Sequence, residues 1–174
     1  MPYTPRTRTS RAHMDGGLQW ENVPSYSAFV VPFSHNPIGS GVISDPVARA
    51  AHNSMINTEV GTWANGGFTP ARAGWYRLAT QFAAFKTSSQ ARVLDVFHRI
   101  EMIREGSGIV LSITDSIDHL IDQAERVVAL KAEASVYLLT TDHIQARFGF
   151  IEGDNLNIVT DHMRTYFDVT AYWN

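Results

Sequence analysis

Four of the seven histidines lie close to acidic side chains, a combination that can bind a metal ion or transfer a proton. They are His98 near Asp95 and Glu101, His119 beside Asp118, His143 beside Asp142, and His162 beside Asp161. A metal-dependent β-barrel enzyme would need a close His-x-His pair with a downstream Glu, and the sequence has no such pair. The repeated Asp-His dipeptide could form a metal-binding or pH-sensitive site at the axis of a trimer. We favour the alternative that these histidines are polar loop residues.

Carboxylate and amide side chains offer little more. One acidic stretch contains Asp115, Asp118 and Asp122, and Glu152 and Asp154 flank a turn. A glycosidase needs two carboxylates facing each other about 5 to 9 Å apart, and the sequence does not place two of these opposite each other. Asp154, Asn155 and Asn157 could bind calcium, but a turn rich in Asn and Asp is the commoner explanation. Nucleophile elbows, Walker loops and dinucleotide fingerprints are absent. We therefore predict no catalytic residue, no cofactor and no metal site.

The composition limits the class of protein. At 174 residues the chain fits one domain, and with 44% hydrophobic and 18% charged residues it is not expected to be disordered overall. A net charge of -3 gives no electrostatic case for nucleic acid or membrane as a partner. The absence of cysteine removes disulfides, and no apolar run is long enough to span a membrane. The first residues lack the apolar segment of a secretory signal.

The segment of residues 68–85 is the most informative. A turn rich in Gly and Pro leads into a strand that alternates between two faces. One face carries Tyr76, Leu78, Phe82 and Ala84, and the other carries Trp75, Arg77, Gln81 and Phe85. The pattern Phe68-x-Pro70, then Gly74-Trp75-Tyr76 and a strand, resembles the family of complement component 1q and tumour necrosis factor (TNF) jelly rolls. That resemblance implies an all-β, TNF-like jelly-roll β-sandwich that assembles as a homotrimer, and it implies no chemistry.

Other segments fit that resemblance. Residues 25–33 resemble the first strand, with Phe29, Val31 and Phe33 on one face. Asn65-Gly66-Gly67 is a strong turn signal, and residues 104–108 separate two apolar runs as a hairpin turn would. Residues 165–173 resemble the closing strand. They alternate so that one face carries Phe167, Val169, Ala171 and Trp173.

The middle of the chain is ambiguous. Residues 93–103 fit either a strand, with Leu94, Val96, Ile100 and Met102 inward, or a helix. Residues 118–134 have helical spacing and composition, so a helix between residues 116 and 132 stays an alternative. The resemblance favours strands in both places, with residues 127–139 forming two strands around a turn at residues 133–135. Residues 148–158 are predicted to form a hairpin around Gly153, Asp154 and Asn155.

Residues 1–25 are predicted to form an extended basic arm, which precedes a jelly-roll domain at residues 26–174. Several Pro and Gly residues disfavour regular structure there, and basic residues are spread among Thr and Ser. One interpretation is a solvated tail. The other is a segment that becomes ordered on a partner, because a large aromatic side chain in a tail usually anchors it. The predicted partner-binding residues are Tyr3, Arg6, Arg8, Arg11 and Trp20.

Large aromatic side chains fall on the predicted outer face. They are Trp75 and Phe85 on the long strand and Tyr166 and Tyr172 on the closing strand. On a monomer they would form an unusually large apolar patch. Since the resembled family packs equivalent strands at its three-fold axis, these four residues are predicted to form a trimer interface. The alternative is that the two faces are reversed and the four residues belong to the core.

The sequence favours a non-enzymatic structural protein of a virion, assembled in the host cytoplasm. Its trimer would decorate a bacteriophage capsid as a cement protein, with each arm clamping the major capsid protein or other shell subunits. The rival hypothesis is the receptor- or glycan-binding head of a tail fibre or spike, in which Trp63 and His143 would contact sugars. A third, a secreted TNF-type ligand, is disfavoured by the missing export signal.

Overall fold

Two antiparallel sheets make up the fold in the computed structural model, which describes residues 7–14, 28–30, 33–34, 57–64, 66–86, 95–117, 128–151, 156–158 and 165–173. The first sheet comprises β1 (Arg8–Met14), β3 (Phe33–Ser34), β6 (Gly74–Lys86), β9 (Val128–Leu138), β11 (Leu156–Ile158) and β12 (Tyr166–Ala171). The second comprises β2 (Ala28–Val30), β4 (Gly61–Ala64), β5 (Gly67–Pro70), β7 (Asp95–Arg104), β8 (Ser107–Ile117) and β10 (His143–Ile151). Within these ranges the secondary structure is all β, and no helix long and apolar enough to cross a membrane is found there.

The strand order repeatedly moves the chain between the sheets. The first sheet runs β9-β6-β12-β1-β3, with β11 pairing with β6 beyond the end of β12. The second runs β4-β5-β10-β7-β8, with β2 pairing with β10 beyond the end of β5. Successive strands such as β5 and β6, or β9 and β10, therefore lie in opposite sheets, and their inward faces meet in one core.

Aromatic rings fill that core. Phe82 of β6 stacks on Phe148 of β10 with ring centroids 4.0 Å apart, which joins the two sheets near the centre of the sandwich. Trp63 of β4 contacts Phe167 of β12 at 5.4 Å and Phe68 of β5 at 5.0 Å. Rings at these separations bury large apolar areas and fix the spacing of the sheets.

The two faces of β6 are as the sequence predicts. Tyr76, Leu78 and Phe82 are fully buried, whereas Trp75 is 57% exposed, so the alternative in which the faces are reversed is wrong. The predicted hairpin turn also forms, with Glu105 and Gly106 linking β7 to β8. Both residues have positive φ, 50° and 80°, as a type I′ turn requires.

Three predictions about strands are wrong. The predicted first strand is divided, since β2 pairs with β10 in the second sheet while β3 pairs with β1 in the first. Between them lies Pro32, which has no N–H to donate to a ladder. Residues 127–139 contain no turn at 133–135, because β9 continues through them along β6. Residues 148–158 form no hairpin, since β10 and β11 belong to different sheets.

The helical alternatives are partly resolved. Residues 95–104 form β7, so the strand interpretation of that segment is confirmed. At residues 116–132, β8 extends to Ile117 and β9 begins at Val128, so both ends are strands, and residues 118–127 lie outside the described residues.

Part of the predicted arm lies within the sandwich. β1 pairs with β12 through six residues, from Arg8 opposite Ala171 to His13 opposite Tyr166. Its Ser10 and Ala12 side chains are fully buried. The expectation that this segment lacks regular structure therefore does not hold for residues 8–14. The domain boundary at residue 25 stays a prediction.

Candidate oligomer interface

An exposed aromatic row crosses three neighbouring strands on the outer face of the first sheet. Trp75 of β6 lies directly opposite Tyr137 of β9, and its carbonyl oxygen accepts a 2.9 Å hydrogen bond from the Tyr172 amide just beyond β12. The exposed fractions are 57% for Trp75, 47% for Tyr137 and 46% for Tyr172. Trp75 and Tyr137 meet edge to face at 6.0 Å. We call Tyr137, Trp75 and Tyr172 the aromatic row.

The neighbouring positions on the same face hold ion pairs. Arg77 donates to Glu133 across β6 and β9 at 2.8 Å, and Arg11 donates to Asp168 across β1 and β12 at 2.6 Å. The Asp168 carboxylate raises the pKa of Arg11 above its ordinary value through this hydrogen bond. Each pair cancels its own charge. The aromatic row is therefore bordered by pairs that would not repel a second copy of the same face.

The predicted interface residues have different positions. Trp75 and Tyr172 belong to the aromatic row, and Tyr166 is half-buried under the Arg11 guanidinium, 4.3 Å from its ring centroid. The backbone of Phe85 lies in β6, and its side chain is outside the described residues. Whether these four residues form a trimer interface stays a prediction.

Sequence reasoning missed Tyr137 because it placed a turn in β9. The sequence nevertheless contains the alternation that indicates an outward Tyr137. Lys131, Glu133 and Ser135 alternate with buried Leu130 and Ala132, and the same alternation turns Tyr137 outward.

The described arm residues are already engaged within the domain. Arg8 forms an ion pair with Glu59 and lies over the Trp173 ring at 5.6 Å. Arg11 is paired with Asp168, as above. Tyr3, Arg6 and Trp20 lie outside the described residues.

His98 is a core residue, not the polar loop residue we favoured. It is fully buried in β7, stacks on Phe82 at 5.8 Å, and its Nε2 lies 3.2 Å from the Thr80 hydroxyl of the opposite sheet. Burial lowers its pKa to about 4 and outweighs a hydrogen bond from the imidazole to the Arg147 backbone, which raises the pKa. His98 has the same strand parity as Ile100 and Met102, so the alternation that places those two inward also indicates its burial.

In the Asp142-His143 dipeptide, the aspartate has a structural role. Asp142 is fully buried at the turn between β9 and β10, where Arg104 donates to it at 2.8 Å and the Leu139 amide donates at 2.7 Å. The Arg104 hydrogen bond holds the pKa of Asp142 below its usual value. His143 is half-buried, which lowers its pKa, and its Nδ1 lies 3.4 Å from the Thr69 hydroxyl.

The other candidate ligands do not assemble into a site where the structure describes them. No group of three or more His, Asp or Glu side chains able to hold a metal ion occurs in the described ranges. His119, His162, Asp154 and Asn155 lie outside those ranges, and the backbone of Asn157 is in β11. Trp63 was expected to stack on sugar in the rival hypothesis. That expectation is wrong, because Trp63 is 3% exposed and its Nε1 donates to Ser10 Oγ at 3.1 Å.

Comparisons with known proteins agree on the fold alone. No family model matches the sequence, and no curated protein matches it. Among solved structures, the Eiger TNF from S. frugiperda is similar with a TM-score of 0.62 and 9% identity, covering 98% of this chain and 95% of that one. Murine APRIL at pH 8.5 is similar with a TM-score of 0.60 and 8% identity, covering 95% and 99%. Murine APRIL at pH 5.0 gives 0.55 and 11%, covering 94% and 99%.

The fold class follows from these likenesses and the sheet topology. The chain is an all-β, TNF-like jelly roll, as its sequence predicts. At identities near a tenth, the likeness defines the architecture and carries no partner or activity to this chain.

Proposed function

We propose that the chain is a non-enzymatic structural protein that forms a homotrimer through the aromatic row. The single observation that carries this proposal is the alignment of Tyr137 and Trp75 on adjacent strands with Tyr172 just beyond β12, each side chain about half exposed. Burying such rings is a strong drive to association, and aromatic side chains dominate the energetics of protein interfaces. The self-balanced ion pairs beside the row remove the charge repulsion that would oppose a contact between identical copies.

The trimer would decorate a virion shell. This part of the proposal is supported by the sequence, namely a basic aromatic arm on a jelly roll without cysteine. Its partner would be the major capsid protein or another shell subunit, and its location the virion, assembled in the host cytoplasm. Because Arg8 and Arg11 are engaged within the domain, partner contact falls to Tyr3, Arg6 and Trp20. The tail-fibre alternative gains no support from the buried Trp63.

The homotrimer is tested by light scattering of the purified chain at several concentrations. The expected species has a mass of about 58 kDa, three times the 19.4 kDa of the chain. Trp75→Ser should shift it toward monomer, since losing a central aromatic contact weakens association by about 2 kcal/mol or more per interface. The matched control is Val110→Ser, which removes an apolar side chain that is 45% exposed on the second sheet. A wild-type monomer, or equal effects of both substitutions, would contradict the proposal.

Attachment through the arm needs a truncation that spares β1. Removing residues 1–24 would delete Ser10 and Ala12 from the core, so loss of attachment could reflect unfolding. Removing residues 1–6 leaves β1 intact. The truncated trimer should keep its mass and lose binding to preassembled shells in a co-sedimentation assay, and Trp20→Ser in the full chain should weaken binding as well. A truncated trimer that still decorates shells would refute the role of the arm and leave the trimer proposal standing.

A further inference from the structure

Two arginines stand side by side on the outer face of the second sheet. Arg99 of β7 is directly opposite Arg147 of β10 in the antiparallel register. Directly opposed like charges are unfavourable in a sheet. Both side chains are nonetheless largely withdrawn from water, with exposed fractions of 25% and 29%. Such a pair needs negative charge beside it.

Among the described residues, a single carboxylate supplies negative charge to the two arginines. Glu101, one row along the sheet, contacts both arginines through the same oxygen, Oε2, with Arg147 close and Arg99 at 3.8 Å. Gln145 Nε2 also donates toward that oxygen, at 3.3 Å. One carboxylate thus serves two guanidinium groups and an amide. The described part of this cluster carries one unbalanced positive charge.

Arg99 is the less satisfied of the two arginines. Both arginines have a buried Nε without a hydrogen-bond partner. Arg147 is nonetheless in close ion-pair contact with Glu101, whereas the contact of Arg99 with Glu101 is too long for a hydrogen bond. Leaving a guanidinium donor buried and unpaired is costly. Glu101 Oε1 lies against Gly108, in space that a Cβ at that position would fill.

We propose that Arg99 and Arg147 form a binding site for a small oxyanion group, a sulfate, phosphate or carboxylate. The planar guanidinium fork donates parallel hydrogen bonds to two oxygens of such a group, and this charge-assisted geometry is among the strongest in proteins. A bound oxyanion would supply the second negative charge and an acceptor for the terminal nitrogens of the Arg99 guanidinium, since its Nε is buried. The site is independent of the aromatic row, which lies on the other sheet.

The test uses the full chain in its native oligomeric state, with sodium phosphate, sodium sulfate and sodium acetate as separate probes at constant ionic strength. Each probe is titrated while the thermal unfolding midpoint is followed, and phosphate binding is measured independently by 31P NMR line broadening. A bound ligand gives a saturating rise in the midpoint. A general salt effect instead shifts the unfolding midpoint in proportion to salt concentration, without saturation. A response to phosphate and sulfate defines a site for tetrahedral anions, and a response to acetate defines a carboxylate site.

Variants distinguish this site from a purely structural cluster. Arg99→Gln should weaken binding about tenfold, since it removes a charge-assisted hydrogen-bond donor. Arg99→Lys keeps the charge and should restore part of the affinity. Glu101→Gln removes the competing carboxylate and should tighten binding. The control Lys131→Gln removes one exposed positive charge from the first sheet and should leave binding unchanged. No saturable response to any probe, or equal losses in Arg99→Gln and Lys131→Gln, would overturn the proposal.

Discussion

Acid should destabilise this sandwich through a single buried histidine. His98 is packed between the sheets against Phe82 and lies within hydrogen-bonding distance of Thr80. Protonating its ring would place a positive charge in an apolar core. Among the described residues, no carboxylate contacts the ring to balance that charge. The folded state therefore resists protonation, which is why the pKa of His98 falls to about 4 from its ordinary 6.5.

The sign and size of this effect on the free energy of unfolding follow from the linkage between protonation and folding. Between about pH 6.5 and 4 the unfolded chain binds a proton at this position and the folded chain does not, so folding stability falls as the pH falls. A pKa difference of roughly two and a half units, at 1.36 kcal/mol per unit, amounts to about 3 kcal/mol per chain at pH 4. At pH 5 the loss is about 2 kcal/mol by the same relation. Above about pH 7 this histidine makes no pH-dependent contribution.

The assay is urea unfolding followed by tryptophan fluorescence between about pH 7 and pH 4, at one protein concentration because an oligomer's stability depends on it. The comparison is between wild type and His98→Gln, which cannot be protonated in this range. The decisive quantity is the difference in free energy of unfolding between pH 7 and pH 4. It should be about 3 kcal/mol larger for wild type than for the variant.

The contribution of a second histidine, His143, to the acid sensitivity must be separated from that of His98. Burial also lowers the pKa of His143, so its effect has the same sign. His143→Gln should remove a smaller part of the acid sensitivity, because this side chain is only half-buried. Equal pH dependence in wild type and His98→Gln, or stability that rises as the pH falls, would refute the reasoning.

Two further substitutions probe buried polar contacts by urea unfolding at neutral pH. Asp142→Asn should cost about 1 to 3 kcal/mol, since it weakens the hydrogen bonds that Arg104 and the Leu139 amide donate to a fully buried carboxylate. The control is the exposed Arg77–Glu133 pair, where Glu133→Gln should cost much less. Ser10→Ala should cost about 1 to 3 kcal/mol, because it leaves the indole N–H of buried Trp63 without its acceptor. A Ser10→Ala protein as stable as wild type would contradict the assignment of β1 to the core.

Local patterns in the sequence predicted the strands that carry large alternating side chains. In β6 and β12, aromatic and branched residues recur at every second position, and these strands were predicted with the correct inward faces. The turn between β7 and β8 was also predictable, because Gly106 readily adopts the positive φ that the turn needs. In each case the deciding interactions lie within a few residues of one another.

Features that depend on pairing between strands far apart in the sequence could not be predicted from local patterns. Whether residues 28–34 form one strand or two depends on β1 and β10, which lie far away in the sequence and belong to different sheets. The basic residues of β1 suggested an extended arm that is either solvated or bound to a partner, yet their charges are satisfied within the domain by Glu59 and Asp168. A tertiary ion pair of this kind leaves no local signal, so composition alone suggested an irregular arm where the structure has a strand.

The described outer faces of the two sheets differ in charge balance, and this difference would separate assembly from binding. On the first sheet, Arg77 and Arg11 each have their own carboxylate, so identical copies can approach the aromatic row without repulsion. On the second sheet, Arg99 and Arg147 share one carboxylate, so the described part of this cluster keeps one unbalanced positive charge. A trimer that buries the first face would leave three oxyanion sites on its outside. Three weak sites on one particle act together on a surface that carries repeated anionic groups, so their combined affinity would exceed that of a single site.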